Sequence, residues 1–192
     1  MNRPTLVVLS GLPATGKSTV AALLNKNGEF SYLRIDTIEQ ALRDSEEMGD
    51  LGVQASGYMV GYAVAADLLD GGNDVLVECV NPFRSTREAW RKVASDRGAG
   101  LLEVELFCSD QAEHQRRAES RSATVHGLKL PNWEAIQNRE HEPWSDADLH
   151  FDTCLLSPEE VAKRILKAAA NLRVGGPQDL RDERTIGGAR SC

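Results

Sequence analysis

The eight residues Gly11-Leu12-Pro13-Ala14-Thr15-Gly16-Lys17-Ser18 satisfy G-x-x-x-x-G-K-[ST] at every fixed position. They join two segments of different periodicity. Leu6 to Ser10 is a short apolar run that reads as a strand, and Val20, Leu23 and Leu24 recur at helical spacing just beyond Ser18. Average residue usage yields the bare pattern in about one chain of this length in a hundred, and the strand and helix flanks make a chance match rarer. Glycines let the main chain wrap closely around phosphate oxygens, with successive N–H groups and a helix N-terminus aimed at the negative charge. Lys17 can then reach the β- and γ-phosphates, and Ser18 offers a hydroxyl to Mg²⁺. The implied ligand is ATP or a similar triphosphate with magnesium, held by Gly11, Leu12, Pro13, Ala14, Thr15, Gly16, Lys17, Ser18 and Thr19.

The rest of the chain alternates apolar runs with helical segments, the pattern of an α/β fold on a largely parallel sheet. Five strands are expected, at Leu6 to Ser10, Tyr32 to Ile35, Asp74 to Val80, Leu101 to Cys108 and Leu149 to Leu155. A helix is expected from Gln54 to Leu69. The last helix has the clearest start, with Ser157 as N-cap, Pro158 in the first turn and Glu160 completing a capping box. Residues 122–145, broken by Gly127, Pro131, Trp133 and Pro143-Trp144, are too irregular and too long for a simple connection, and are expected to form a lid with a short helix near Asn132 to Glu140. Residues 1–174 read as one domain. Residues 175–192 lack the apolar content to order themselves and read as a flexible tail.

A chain of 192 residues suits a single core. Its formal charge of −7 argues against sequence-independent nucleic-acid binding, which needs a concentrated basic face. The apolar run near the N-terminus is too short for a membrane span or a signal-peptide core. Cys79, Cys108, Cys154 and Cys192 show neither a CxxC pair nor a zinc spacing, so reduced, buried thiols in a cytoplasmic protein are expected. The oligomeric state stays open.

Two classes of phosphate-loop protein fit poorly. A guanine-reading N-K-x-D has only the incomplete match Asn25-Lys26-Asn27-Gly28, placed after the first helix. A motor ATPase ends an apolar strand in adjacent acids, whereas Val75-Leu76-Val77-Glu78 is followed by Cys79. The order of the remaining features resembles the small P-loop kinases of the adenylate-kinase-like superfamily, in the branch with gluconate kinase, chloramphenicol phosphotransferase and zeta-toxin kinases, whose AAA-type domain binds ATP. The resemblance covers most of residues 5–172. It rests on the phosphate loop, Ile35-Asp36 ending the second strand, Glu78-Cys79-Val80-Asn81-Pro82 ending the third, and Arg117 and Arg121 after the fourth.

That resemblance implies a three-layer P-loop NTPase fold with a five-stranded, mostly parallel sheet and a lid, and an ATP- and Mg²⁺-dependent transferase acting on a small-molecule hydroxyl. It makes Asp36 the catalytic base, although Asp36-Thr37-Ile38-Glu39 also reads as an N-cap with a capping box. It makes Arg117 and Arg121, one helical turn apart, the arginines that act with Lys17 on the transferring phosphoryl group; Arg116 is an alternative, and a merely solvated helix face is another. Glu78 would sit near the magnesium beside Ser18, directly or through water. Asn81, Arg84 and Arg87 are substrate-side candidates, with Asn81-Pro82 reading equally as a helix start, and Tyr58 and Tyr62 either wall the acceptor pocket or pack in the core. The adenine would lie near Arg117 and Leu156-Ser157-Pro158. Two other functions remain open: a nucleotide-binding regulatory module, and a nucleotide or polynucleotide kinase.

Overall fold

The computed structural model describes residues 3–174, the side chains of Leu51 and Val174 excepted. The expected tail, 175–192, lies outside the described residues. Five strands, β1 (Thr5–Ser10), β2 (Ser31–Arg34), β3 (Val75–Glu78), β4 (Gly100–Phe107) and β5 (Leu149–Asp152), form one sheet in the order β2-β3-β1-β4-β5. Every pairing is parallel, so the sheet is wholly rather than mostly parallel. The helices are α1 (Lys17–Leu24), α2 (Ile35–Asp44), α3 (Ser56–Asp70), α4 (Arg84–Asp96), α5 (Gln111–Ser120), α6 (Trp133–Gln137) and α7 (Pro158–Val174).

The three layers follow from the two-residue period of β1, which is buried along its whole length. Val7 and Leu9 point to one face, where α1 and α7 supply Val20, Leu24, Val161 and Ile165. Leu6 and Val8 point to the other, against Ile35, Ala65, Leu69 and the fully buried Trp90 of α2, α3 and α4. Burying each large side chain of this kind contributes about 1.5–3 kcal/mol. The expected capping box of α7 is present: the Ser157 hydroxyl accepts from Glu160 N at 3.3 Å, and the Glu160 carboxylate accepts from Ser157 N at 3.1 Å.

Three expected boundaries shift for local reasons. β3 stops at Glu78 because the chain turns through Asn81, whose φ of 54° lies in the left-handed region. That turn also corrects the reading of Asn81 as an N-cap: Phe83 is the residue preceding α4, and the Thr86 hydroxyl accepts from its N–H at 3.3 Å. β5 stops at Asp152, whose carboxylate accepts from Cys154 N at 3.0 Å and folds the chain back. Ile35 leaves β2 and opens α2, so Asp36 falls in the first helical turn rather than at its cap.

Candidate active site

β1 sits centrally, and the strands that follow its helix lie on opposite sides of it, so the crevice at its carboxyl end is where an open parallel sheet binds ligands. Gly11 begins the loop with φ 142°. A Cβ there would stand 2.1 Å from the Leu106 carbonyl oxygen, so the loop presses against the end of β4 at a distance only glycine permits. The Thr15 hydroxyl and the Lys17 ammonium both donate to Leu12 O, at 2.9 and 2.8 Å, and Gly16, with φ 92°, precedes the first turn of α1. Burial lowers the Lys17 pKa, against the raising pull of Glu78 and Asp36, so the ammonium is held where a further anion would be welcome.

Glu78, 3% exposed, accepts from the Ser18 hydroxyl at 2.5 Å and from the Tyr32 hydroxyl. Ser18 and Glu78, the two residues expected on the magnesium side, are thus brought together. Asp36 makes no capping hydrogen bond, which corrects the capping-box reading; its nearest cation is Arg34, at 3.9 Å. Its charge acts on both Lys17 and Arg121.

The arginines separate. Arg117 donates to Glu113 at 2.7 Å and to Thr153 Oγ1 and O, both at 3.0 Å, tying α5 to the loop after β5. Arg121 is not on the same helix: it caps the C-terminus of α5 with extended backbone, donates to Pro131 O at 3.3 Å, and keeps a buried Nε with no partner. Arg116 is exposed and doubly bonded to Glu113. Its two arginine partners hold the Glu113 carboxyl down at about 2.

The same cavity, about 810 Å³, is lined by loop residues Pro13, Ala14 and Gly16 to Thr19, by Arg116, Arg117 and Arg121, and by Asp36 and Glu78. It continues to Arg34, Glu39, Gln40 and Arg43 on the β2–α2 unit and to Lys129 and Arg139 on the lid.

The family model AAA_33, an AAA domain, matches residues 6–142, from β1 through most of the lid. The chain belongs to this family. An adenylyl-sulfate kinase of Prochlorococcus marinus is 26% identical over 180 residues, covering 90% of this chain and 87% of its own. In fold, this AAA_33 domain is similar to the Mycobacterium tuberculosis APS kinase CysC solved with AMPPNP and APS, at a TM-score of 0.65 and 24% identity over 87% of this chain and 98% of that one. It is also similar to a gluconokinase from Sinorhizobium meliloti 1021, at 0.60 and 20% identity over 90% and 95%. The resemblance to small P-loop kinases is borne out.

Several acceptor-side candidates of the AAA_33 domain lie outside the cavity. Arg84 is exposed and paired with Glu88, away from the cavity. Arg87 is buried and donates to the carbonyls of Asn81, Pro82, Glu142 and Pro143, which fastens the end of the lid to the turn after β3. Asn81 is buried, with its amide donating to Ser10 Oγ at 3.2 Å. The Tyr58 hydroxyl accepts from Asn81 N at 2.8 Å, and Tyr62 packs edge-on against Trp90, so both tyrosines stand behind the loop rather than in the cavity. The lid has its short helix, α6, whose Trp133 meets His114 edge-on. The His114 Nε2 contacts Pro13 O at 2.8 Å and braces the phosphate loop. Neither His114 nor Tyr32 carried a motif, so spacing could not single them out. No described helix is long and apolar enough to cross a membrane.

Proposed function

We propose that this protein is an ATP-dependent phosphotransferase that moves a γ-phosphate to the hydroxyl of a small molecule, with Asp36 as the base. The observation that carries this reading is the position of Asp36: uncommitted to helix capping, in the cavity, and within the electrostatic reach of both Lys17 and Arg121. A carboxylate so placed can take the proton of an acceptor hydroxyl while cations face the charge that develops on the phosphoryl oxygens.

The residues fit Mg·ATP. The cradle at Gly11 excludes any side chain, Lys17 is a buried cation beside it, and Ser18 with Glu78 forms a hard oxygen pair of the kind magnesium takes. When bound, Mg·ATP supplies the phosphoryl group: the acceptor oxygen bonds to the γ-phosphorus, the bond to the bridging oxygen breaks, and ADP leaves. Arg117 and Arg121 hold the nucleotide side and stabilise the transferring group. Residues 122–145 cover the acceptor and keep water out, which separates transfer from hydrolysis. Cys79, Cys108 and Cys154 are unbridged, which fits work in a reducing cytoplasm.

The test is a set of hydroxylated metabolites and antibiotics incubated with γ-labelled ATP. Asp36→Asn should lower labelling of the acceptor by about a hundredfold or more and leave nucleotide affinity within about threefold. Equal labelling by wild type and Asp36→Asn would falsify the assignment of the base. ATP binding that depends on Lys17 without labelling of any acceptor would favour a regulatory module.

A further inference from the structure

The cavity holds more positive charge than a nucleotide donor needs. Eight cationic side chains line it against three carboxylates, although the chain as a whole carries a formal charge of −7. Half of these cations, Lys17, Arg116, Arg117 and Arg121, stand at the phosphate loop and on or just past α5, the donor side. The others, Arg34, Arg43, Lys129 and Arg139, come from the β2–α2 unit that carries Asp36 and from the lid.

Arg34 decides the matter. Its side chain is 17% exposed, and Nη1 is satisfied by Thr124 Oγ1 at 2.6 Å. Its nearest carboxylate oxygens, on Asp36 and Glu78, stand off at 3.9 Å, and its Nε is buried without a hydrogen-bond partner. A buried N–H of a charged group left without an acceptor requires an explanation, and an oxygen of a bound ligand is one that also uses the charge. Arg43 is already held by Glu39 at 3.0 Å and is spoken for. The Lys129 and Arg139 side chains reach the cavity with no hydrogen-bond or ion-pair partner among the described residues. A neutral acceptor would leave Lys129 and Arg139 without a hydrogen-bonded or ion-paired partner among the described residues, and Arg34 with only carboxylates that stand off at 3.9 Å.

We infer that the acceptor carries an anionic group, a carboxylate, phosphate or sulfate, which sits on the Arg34 guanidinium and is closed over by Lys129 and Arg139 while the acceptor hydroxyl meets Asp36. This rests on the kinase reading and names its substrate class. The arrangement also offsets the repulsion that an anionic acceptor would otherwise meet on approaching the Asp36 carboxylate. The planar fork of Arg34 suits two oxygens of one group, whereas Lys129 acts as a movable point charge.

Inorganic sulfate is the probe. With the donor half saturated by magnesium and a non-hydrolysable ATP analogue, sulfate should bind the wild-type protein in a calorimetric titration. Its affinity should fall about tenfold or more in Arg34→Ala and by about threefold in the exposed Arg139→Ala, with nucleotide affinity unchanged in both. Matched acceptors give the second readout: a polyol, its carboxylate and its phosphate ester. Transfer should favour an acid form, and Arg139→Ala should raise the KM for that acid and not for ATP. The form preferred distinguishes carboxylate from phosphate. Sulfate affinity unaltered by both substitutions, absence of sulfate binding, or a higher kcat/KM for the neutral polyol would overturn the proposal with the kinase reading intact. Failure to phosphorylate any alcohol would instead sink the kinase reading, and the sulfate titration would still decide whether the anion site exists.

Discussion

Glu78 illustrates how register, rather than residue type, assembles the foot of this cavity. The family resemblance made this acid at the end of an apolar strand a magnesium-side candidate, but its partners were not legible. Arg34 lies opposite Glu78 and Tyr32 opposite Leu76 across the β2–β3 pair, so Tyr32 is the diagonal neighbour of Glu78 on one face and its hydroxyl can donate to the carboxylate. His141 is a second residue whose role only the surroundings define. Its Nε2 is buried without a hydrogen-bond partner, with Glu105 Oε1 4.0 Å away. Burial lowers its pKa below 6.5, against the pull of Glu105 and with the repulsion of Arg87, Lys17 and Arg139. The unfolded chain therefore takes up a proton first as the pH falls, and the folded state loses stability below about pH 6.5, at up to about 1.4 kcal/mol per pH unit from this group. His141→Gln should flatten the decline in denaturation midpoint between about pH 6.5 and 5. An unaltered slope in that variant would show that His141 does not titrate differently on folding.

At the scale of elements, the phosphate loop is positioned by backbone contact as much as by its own turn. Gly11 N donates to Val80 O at 3.3 Å, Cys79 N to Leu9 O at 3.1 Å, and the Gly11 Cα faces the Leu106 carbonyl, so β3, β1 and β4 all meet at the loop. Gly11→Ala should therefore act beyond the ligand: it forces a Cβ against main chain that cannot swing aside and a positive φ on a residue that resists it. The expected cost is about 2–4 kcal/mol in denaturant unfolding without nucleotide, together with loss of ATP binding. A cost below about 0.5 kcal/mol would mean that the loop moves off β4 freely. The helix after β4 teaches a different lesson. Arg117 and Arg121 share a face on an ideal helix, yet α5 ends at Ser120 and Arg121 turns to Pro131. Periodicity cannot locate a helix end that is set by the lid.

For the molecule as a whole, Mg·ATP bound as proposed would bridge the sheet crevice, α5 and residues 122–145, and should stabilise the folded state by mass action. Saturation at about a hundred times Kd corresponds to about 2.7 kcal/mol. A thermal-denaturation series should show a Tm that climbs with Mg·ATP in the wild-type protein and stays flat in Lys17→Ala. A rise of equal size in both would place the nucleotide somewhere other than this loop. The phosphate loop, the existence of all five strands, the last helix with its capping box and the irregular segment 122–145 with its short helix were determined by the sequence alone, because turn chemistry, side-chain alternation and capping act between residues a few positions apart. The strand order, the tie from Arg34 to Thr124, the brace from His114 to Pro13 across 101 residues, and the burial of Arg87 under the lid were decided only by tertiary structure. Each depends on which parallel strands pair and in what register, and that choice is made by the packing of whole layers, a quantity no local spacing encodes.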